Sequence, residues 1–311
     1  MTKTAQFPDE NSDEGTFERQ EDAFRHWVRR DGSTPYTPDA DRYHLYVCFA
    51  CPWAHRTLIA RHLLKLDTSI GFTALDPIRD ERGWAFREGD GHSTDPINGF
   101  QFLSEAYRTS DPSFRGRWTV PVLWDKQTKT IVNNSEDDIC RMFNDEFATT
   151  VEGMPDLFPT VVADEQAKLS DTIYETVNNG VYRAGFASAQ SAYDEAVTAL
   201  FDTLDSLETR LAQSRYLLGD HPVETDWRLF CTLVRFDAVY HGHFKCNLRR
   251  IVDYPNLQGY LRDLYQLPGI SETVNFDHIK RHYYATHTDI NPTGIVPLGP
   301  ILDLTLAHGR G

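Results

Sequence analysis

Positive charge, cysteine and long apolar stretches are all scarce in this sequence, and each scarcity closes off a class of function. Lys and Arg together number 31 against 46 Asp and Glu, a formal net charge of −15. Nucleic acids and anionic membranes are bound through a basic face that this balance does not supply, so neither is expected as a partner. No window approaches the roughly eighteen uninterrupted apolar residues of a membrane-spanning helix. The opening residues MTKTAQFPDENSDEGTFERQ are acidic and polar, unlike the basic start and apolar run of a secretory signal. The expectation is a soluble, cytoplasmic protein. Five cysteines in 311 residues make no disulfide framework, and an odd number leaves at least one over. Cys48-Phe49-Ala50-Cys51 is a C-x-x-C without a second one, and Cys140, Cys231 and Cys246 stand apart without close histidines, so no metal site is expected.

What is present is a globular chain of two-domain length. Hydrophobic residues make up 40% and aromatics 12%, enough for a real core. Residues 1–40 carry few periodic apolar positions and read as a polar arm that wraps the surface or is partly mobile. From Tyr43, the alternation of Tyr43, Leu45 and Val47 with His44 and Tyr46 predicts a strand, and Leu58, Ile59, Leu63 and Leu64 predict a helix after Trp53. A second β-rich run covers Ile70 to Leu75, and residues 76–117 form a long polar connection of the kind that is usually functional. Val120 to Trp124 and Thr130 to Val132, joined by a polar turn, predict a hairpin, with a helix starting near Ser135. This βαβ-then-ββα order is that of a thioredoxin-like α/β domain, assigned to residues 41–155.

The boundary falls between Phe147 and Asp164, where Gly153, Pro155 and Pro159 cluster. Beyond it the spacing is helical, as in Tyr193, Val197, Leu200, Leu204, Leu207 and Leu211, then Trp227, Phe230 and Val234, then Leu257 to Leu264. An all-helical domain is assigned to 160–288 and a tail to 289–311. Neither an internal repeat nor a low-complexity tract is present.

Cys51 lies at the predicted strand-to-helix junction. There the unpaired first-turn N–H groups and the positive end of the helix dipole favour thiolate, the nucleophilic form. Pro52 suits the first helical position, where its missing N–H costs nothing. The position of a resolving cysteine on the helix side is Ala54, so the site reads as a monothiol resolved by an external thiol. Cys48 is either a core residue at the strand end or an internal resolving thiol. Val120-Pro121 after a glycine- and arginine-rich loop suggests a cis-proline that turns the Val120 backbone toward an extended ligand. Each feature also has a plain structural reading: Cys51 as apolar filler, Pro121 as an ordinary trans-proline.

CPWAHRT, the Gly83 to Phe86 run GWAF, TVPVLWD, NNGVYRAGF, RFDAVYHGHFKCN and HIKRHYY, in that order from about Tyr43 to Tyr284, together resemble the Xi class of glutathione transferases, the glutathionyl-hydroquinone reductases. The resemblance implies a glutathione-transferase fold, with a thioredoxin-like domain followed by the helical domain, and a homodimer joined mainly through the latter. It implies that Cys51 attacks the sulfur of a thiol-conjugated hydroquinone, that Tyr182, Tyr240 and Tyr283 line the hydroquinone pocket, that Trp84 lies against the glutathione, and that Val120, held by Pro121, pairs with its cysteinyl backbone. Each tyrosine, taken alone, also reads as a core or interface residue, and Trp84 as a loop anchor. Where the family has Glu-Ser after Asn-Asn, this chain has Ser135-Glu136, a pair that can hold the γ-glutamyl carboxylate and ammonium or simply cap a helix. An omega-like thiol transferase or dehydroascorbate reductase would share Cys51 without needing the tyrosines, and a non-catalytic scaffold would need neither.

The basic residues are mostly Arg, with few Lys, and the acidic residues are spread along the whole chain. Such a surface suits high salt, where screening relieves repulsion between like charges. In that setting the thiol cosubstrate is either glutathione or γ-glutamylcysteine. The melting temperature is expected to rise on going from dilute buffer to molar KCl, a change that differential scanning calorimetry reads directly.

Overall fold

The computed structural model describes Ser12, residues 15–148 and residues 154–311. Gly153 and the first eleven residues of the arm lie outside the described residues. The described chain sorts into two compact units, one of residues 20–155 with 273–289, the other of residues up to 19 with 156–272 and 290–311.

The first unit is built on a four-stranded sheet in the order β2-β1-β3-β4, from β1 (Tyr43–Val47), β2 (Gly71–Ala74), β3 (Val122–Asp125) and β4 (Thr130–Asn133). β1 runs parallel to β2 and antiparallel to β3, and β3 and β4 form the hairpin. This is the thioredoxin-like arrangement. All five residues of β1 are buried, so the polar ones must find partners. His44 Nε2 bonds Thr73 Oγ1 at 2.8 Å, and Tyr46 donates its hydroxyl to Asp95 at 3.0 Å. Burial pushes the His44 imidazole down to about 4, which keeps it neutral. At the foot of β1, Arg42 forks onto the buried Asp125 carboxylate at 3.0 and 2.8 Å, joining β1 to the hairpin.

Helix α1 (Pro52–Leu63) follows β1, α2 (Leu103–Ser110) precedes the hairpin and α3 (Glu136–Met142) follows it. α2 falls inside the stretch expected to be a long loop. Leu103, Ala106 and Tyr107 give it a buried face, and the Glu105 carboxylate accepts from the N–H of Gln101 and of Phe102 at 3.0 and 2.9 Å. Two turns of helix with a side-chain cap are thus enough to order a segment whose composition is that of a loop.

The arm is tied down over its described part in this unit. Phe24 exchanges bonds with Asn134, and His26 N–H donates to Val132 O at 3.0 Å, along the outer edge of β4. Arg25 forks onto Asp138, and Val28 is fully buried. An edge strand offers unpaired backbone groups, and the arm takes them up.

The second unit is helical: α4 (Ala163–Ile173), α5 (Gly180–Gly185), α6 (Gln190–Leu211), α7 (Glu224–Arg235), the single turn α8 (His241–His243) and α9 (Pro255–Gln266). The heptad-like positions read from sequence, Val197, Leu200, Leu204, Leu207 and Leu211, are the buried face of α6. The helical domain is expected to run to residue 288, but the last helix, α10 (Phe276–Thr286), groups with the first unit. His278 Nε2 bonds Asp90 O at 2.7 Å and His282 Nδ1 bonds Pro77 O at 2.8 Å, so the polar 76–102 connection holds α10 within this unit. Among the described residues no helix is long and apolar enough to cross a membrane.

The start of α7 carries a buried polar anchor of the helical unit. The buried Asp226 carboxylate accepts from Leu217 N–H at 2.9 Å, from Val223 N–H at 2.8 Å and from the Tyr260 hydroxyl at 2.8 Å. Removing it strands two buried backbone donors and leaves the Tyr260 hydroxyl only its longer bond to Asp226 O, at 3.3 Å. Asp226→Ala is expected to lower the unfolding free energy by about 2–4 kcal/mol, read as a shifted urea midpoint.

Candidate active site

Cys51 is the residue immediately before α1, in extended conformation, with Pro52 opening the helix. The chain reaches it from β1 through a turn in which Cys51 N–H donates to Cys48 O at 3.0 Å. Its side chain is half-buried, and Sγ–H meets Val120 O at 3.5 Å. The Val120-Pro121 peptide is cis. The Thr119 hydroxyl, one residue earlier, accepts from Asn134 Nδ2 at 3.1 Å, and Tyr107 donates to Thr119 O at 2.9 Å. The junction after β1, the Thr119–Pro121 loop and the approach to α3 are therefore held as one assembly.

Ser135 precedes α3, yet its hydroxyl makes no capping bond to the helix, so the simple capping reading fails. Its own N–H donates to Asn133 Oδ1 at 2.7 Å. Glu136 and Asp137, which open α3, share the buried Arg56 guanidinium at 3.3 and 2.5 Å. Arg56 stands on α1, so α1 and the start of α3 are tied by a buried cation, with Glu136 partly buried and Asp137 half exposed. Burial, with the Asp137 charge beside it, pushes the Glu136 carboxyl up to about 7 against the opposing pull of Arg56. Arg56 and Thr119 were not singled out from sequence, although both lie in the quoted runs CPWAHRT and TVPVLWD; nothing local marks a charged residue inside a helix as buried.

Trp84 is almost wholly buried, with its ring stacked on His282 at 5.0 Å between centroids and the Arg79 guanidinium 5.3 Å from its centre. Tyr283 lies beside His282 and His287 at 5.2 and 5.4 Å. Both Trp84 and Tyr283 thus belong to the unit that holds Cys51, with α10 packed on the polar connection.

Tyr182 and Tyr240 come together in the other unit, 6.0 Å apart between ring centroids. Tyr240 stacks on Phe244 at 5.5 Å, Tyr182 meets the same ring at 5.4 Å, and the Arg19 guanidinium lies 5.1 Å from the Tyr182 ring. Tyr240 ends a π-helical turn, Phe236–Tyr240, and a second one, Tyr174–Asn178, precedes Tyr182. Such turns re-aim the side chains that follow them and recur at functional sites. Phe244 and Arg19 were likewise not picked out from sequence, Phe244 because an aromatic in a helical region reads first as core.

Comparison with known proteins agrees with this geometry. Residues 50–146 match the family model for the glutathione S-transferase N-terminal domain and residues 190–263 that for the C-terminal domain. The chain is 50% identical over 309 residues to the glutathionyl-hydroquinone reductase YqjG of Escherichia coli, covering 97% of this chain and 94% of that one. The glutathione-bound structure of YqjG superimposes with a TM-score of 0.89 over 92% of this chain and 96% of that one. A Xi-class transferase from Natrialba magadii, 49% identical, gives 0.90 over 92% of this chain and 88% of that one. A thiol before a helix, a cis-proline opposite it and this similarity along nearly the whole chain place the protein in the Xi class of glutathione transferases, the glutathionyl-hydroquinone reductase family.

Proposed function

We propose that the protein is a thiol-dependent reductase that removes glutathione, or γ-glutamylcysteine, from thiol-conjugated hydroquinones. The observation that carries the mechanism is the half-buried Cys51 thiol at the start of α1, 3.5 Å from Val120 O. The Cys51 thiolate attacks the conjugate's sulfur. The S–C bond to the ring breaks, the ring carbon takes up a proton, and hydroquinone leaves behind a mixed disulfide on Cys51. A small thiol then attacks that disulfide and departs as the symmetric disulfide. Charge grows on the ring carbon and oxygens in the first step, so donors there lower the barrier. Tyr182, Tyr240 and Tyr283 have that role in this reading, with rings that stack on an aromatic substrate.

For the thiol, Val120 pairs with the cysteinyl backbone, Pro121 fixes that loop and Trp84 packs against the ligand. Ser135 and Glu136 hold the γ-glutamyl end, with the uncommitted Ser135 hydroxyl toward the carboxylate and Glu136 toward the ammonium. The scarcity of Lys and the reordered Ser135-Glu136 pair support γ-glutamylcysteine as an alternative cosubstrate and a high-salt setting. The Xi resemblance supports a homodimer, and five cysteines that all stand as free thiols support a cytoplasmic location.

The test is hydroquinone release from glutathionyl-menadiol in high KCl, with glutathione and with γ-glutamylcysteine as second thiol. Release is expected to vanish in Cys51→Ala and to slow on the order of a hundredfold in Tyr240→Phe. Unchanged turnover in Tyr240→Phe would point to omega-like thiol transfer instead.

Glu136 gives a pH signature. Its carboxyl is raised to about 7, so it is largely neutral below that value and pairs an ammonium only as the pH rises through it. Equilibrium affinity for glutathione, read by Trp fluorescence, is expected to strengthen about tenfold between pH 6 and 8. Glu136→Gln is expected to flatten the profile at the weaker level.

A further inference from the structure

We propose that Cys48 is an internal resolving thiol for Cys51, so that this reductase cycles through a Cys48–Cys51 disulfide. The proposal rests on the reductase reading and deepens it. The two thiols bracket the turn between β1 and α1, where Cys51 N–H donates to Cys48 O at 3.0 Å. A turn closed by that bond brings its first and fourth Cα atoms within about 7 Å, which overlaps the separation of about 4.4–6.8 Å spanned by disulfides. Both residues are thiols in the structure, Cys48 fully buried and Cys51 half-buried. Cys48 is thus shielded from solvent while sitting one turn from the sulfur that carries the mixed disulfide. An external thiol must diffuse in for the same step, whereas Cys48 is held within its own turn.

The balance is simple. Cys48 loses its proton and attacks Cys51 Sγ of the mixed disulfide, and glutathione leaves as thiolate and takes up a proton. The Cys48–Cys51 disulfide is reopened by two molecules of the small thiol, which leave as their symmetric disulfide. The overall stoichiometry equals that of direct resolution, and only the intermediate differs.

The full-length protein is mixed with one equivalent of glutathionyl-menadiol and no free thiol, quenched in acid, and its intact mass, peptide map and released glutathione are measured. A parallel arm loads Cys51 with glutathione disulfide, which needs no reductase activity. The wild type is expected to retain no glutathionyl group, to lose two hydrogens, and to show a Cys48–Cys51 cross-linked peptide. In the disulfide arm it releases two glutathiones per chain. Cys48→Ser and Cys48→Ala are expected to stop at Cys51 glutathionylation with one released, while alkylating at Cys51 at the wild-type rate, which shows that they are folded. A wild type that keeps its glutathionyl group on Cys51, or that is never loaded in either arm, overturns the proposal. Loading by glutathione disulfide without hydroquinone release counts against the reductase reading alone, and the disulfide arm still decides Cys48.

Discussion

Strand β1 is enclosed on both faces, so its chemistry can emerge only at its end. A strand in this position has no solvent side on which to place a reactive group, and its polar residues are spent on internal partners such as Thr73 and Asp95. The chain leaves the core through the Cys48–Cys51 turn and enters α1 at once. That exit puts a thiol beside the open end of a helix and opposite the Thr119–Pro121 loop. Everything else in the first unit serves to hold that exit still: the hairpin through Arg42 and Asp125, α3 through Arg56, and the loop through Asn134 and Tyr107.

Electrostatics divides the work between two helix starts. At α1 no acidic side chain occupies the first turn, whereas α3 opens with Glu136, Asp137 and Asp138. The first arrangement suits an anionic sulfur and the second a cationic end of a ligand. Arg56 offsets the acidic start of α3 from its place on α1, because its buried charge is committed to Glu136 and Asp137. A buried cation with two carboxylates is a device for orientation more than for stability, since the desolvation it demands offsets much of its Coulombic gain.

The parts of this arrangement that were legible in the sequence are those written in periodicity and punctuation. Alternation marked β1, the change to helical spacing after Trp53 marked α1, and Pro52 marked its first residue. The hairpin and the long helix α6 followed in the same way. What stayed hidden depends on tertiary partners. α2 sits in a polar stretch and is ordered by Glu105 reaching back to its own start. α10 has the amphipathic spacing of any bundle helix, and only the carbonyls of Pro77 and Asp90 reveal where it belongs. Nothing in the run CPWAHRT marks Arg56 as buried, because burial of a charge is set by what arrives from 80 residues later. The resemblance supplied Tyr182, Tyr240 and Tyr283, for which spacing alone offered no more than core aromatics.

The arm laid along β4 has a consequence for how such a protein can diverge. Asp138 accepts from Arg25 and also from Asn133, while Asn133 reaches His26 O and the Ser135 N–H. A change at any one of these positions leaves a neighbour in the arm, the sheet or the start of α3 without its complement. These segments are therefore expected to change together. Remodelling the ligand end near Ser135 is expected to call for matching changes more than a hundred residues upstream, where Phe24 bonds Asn134.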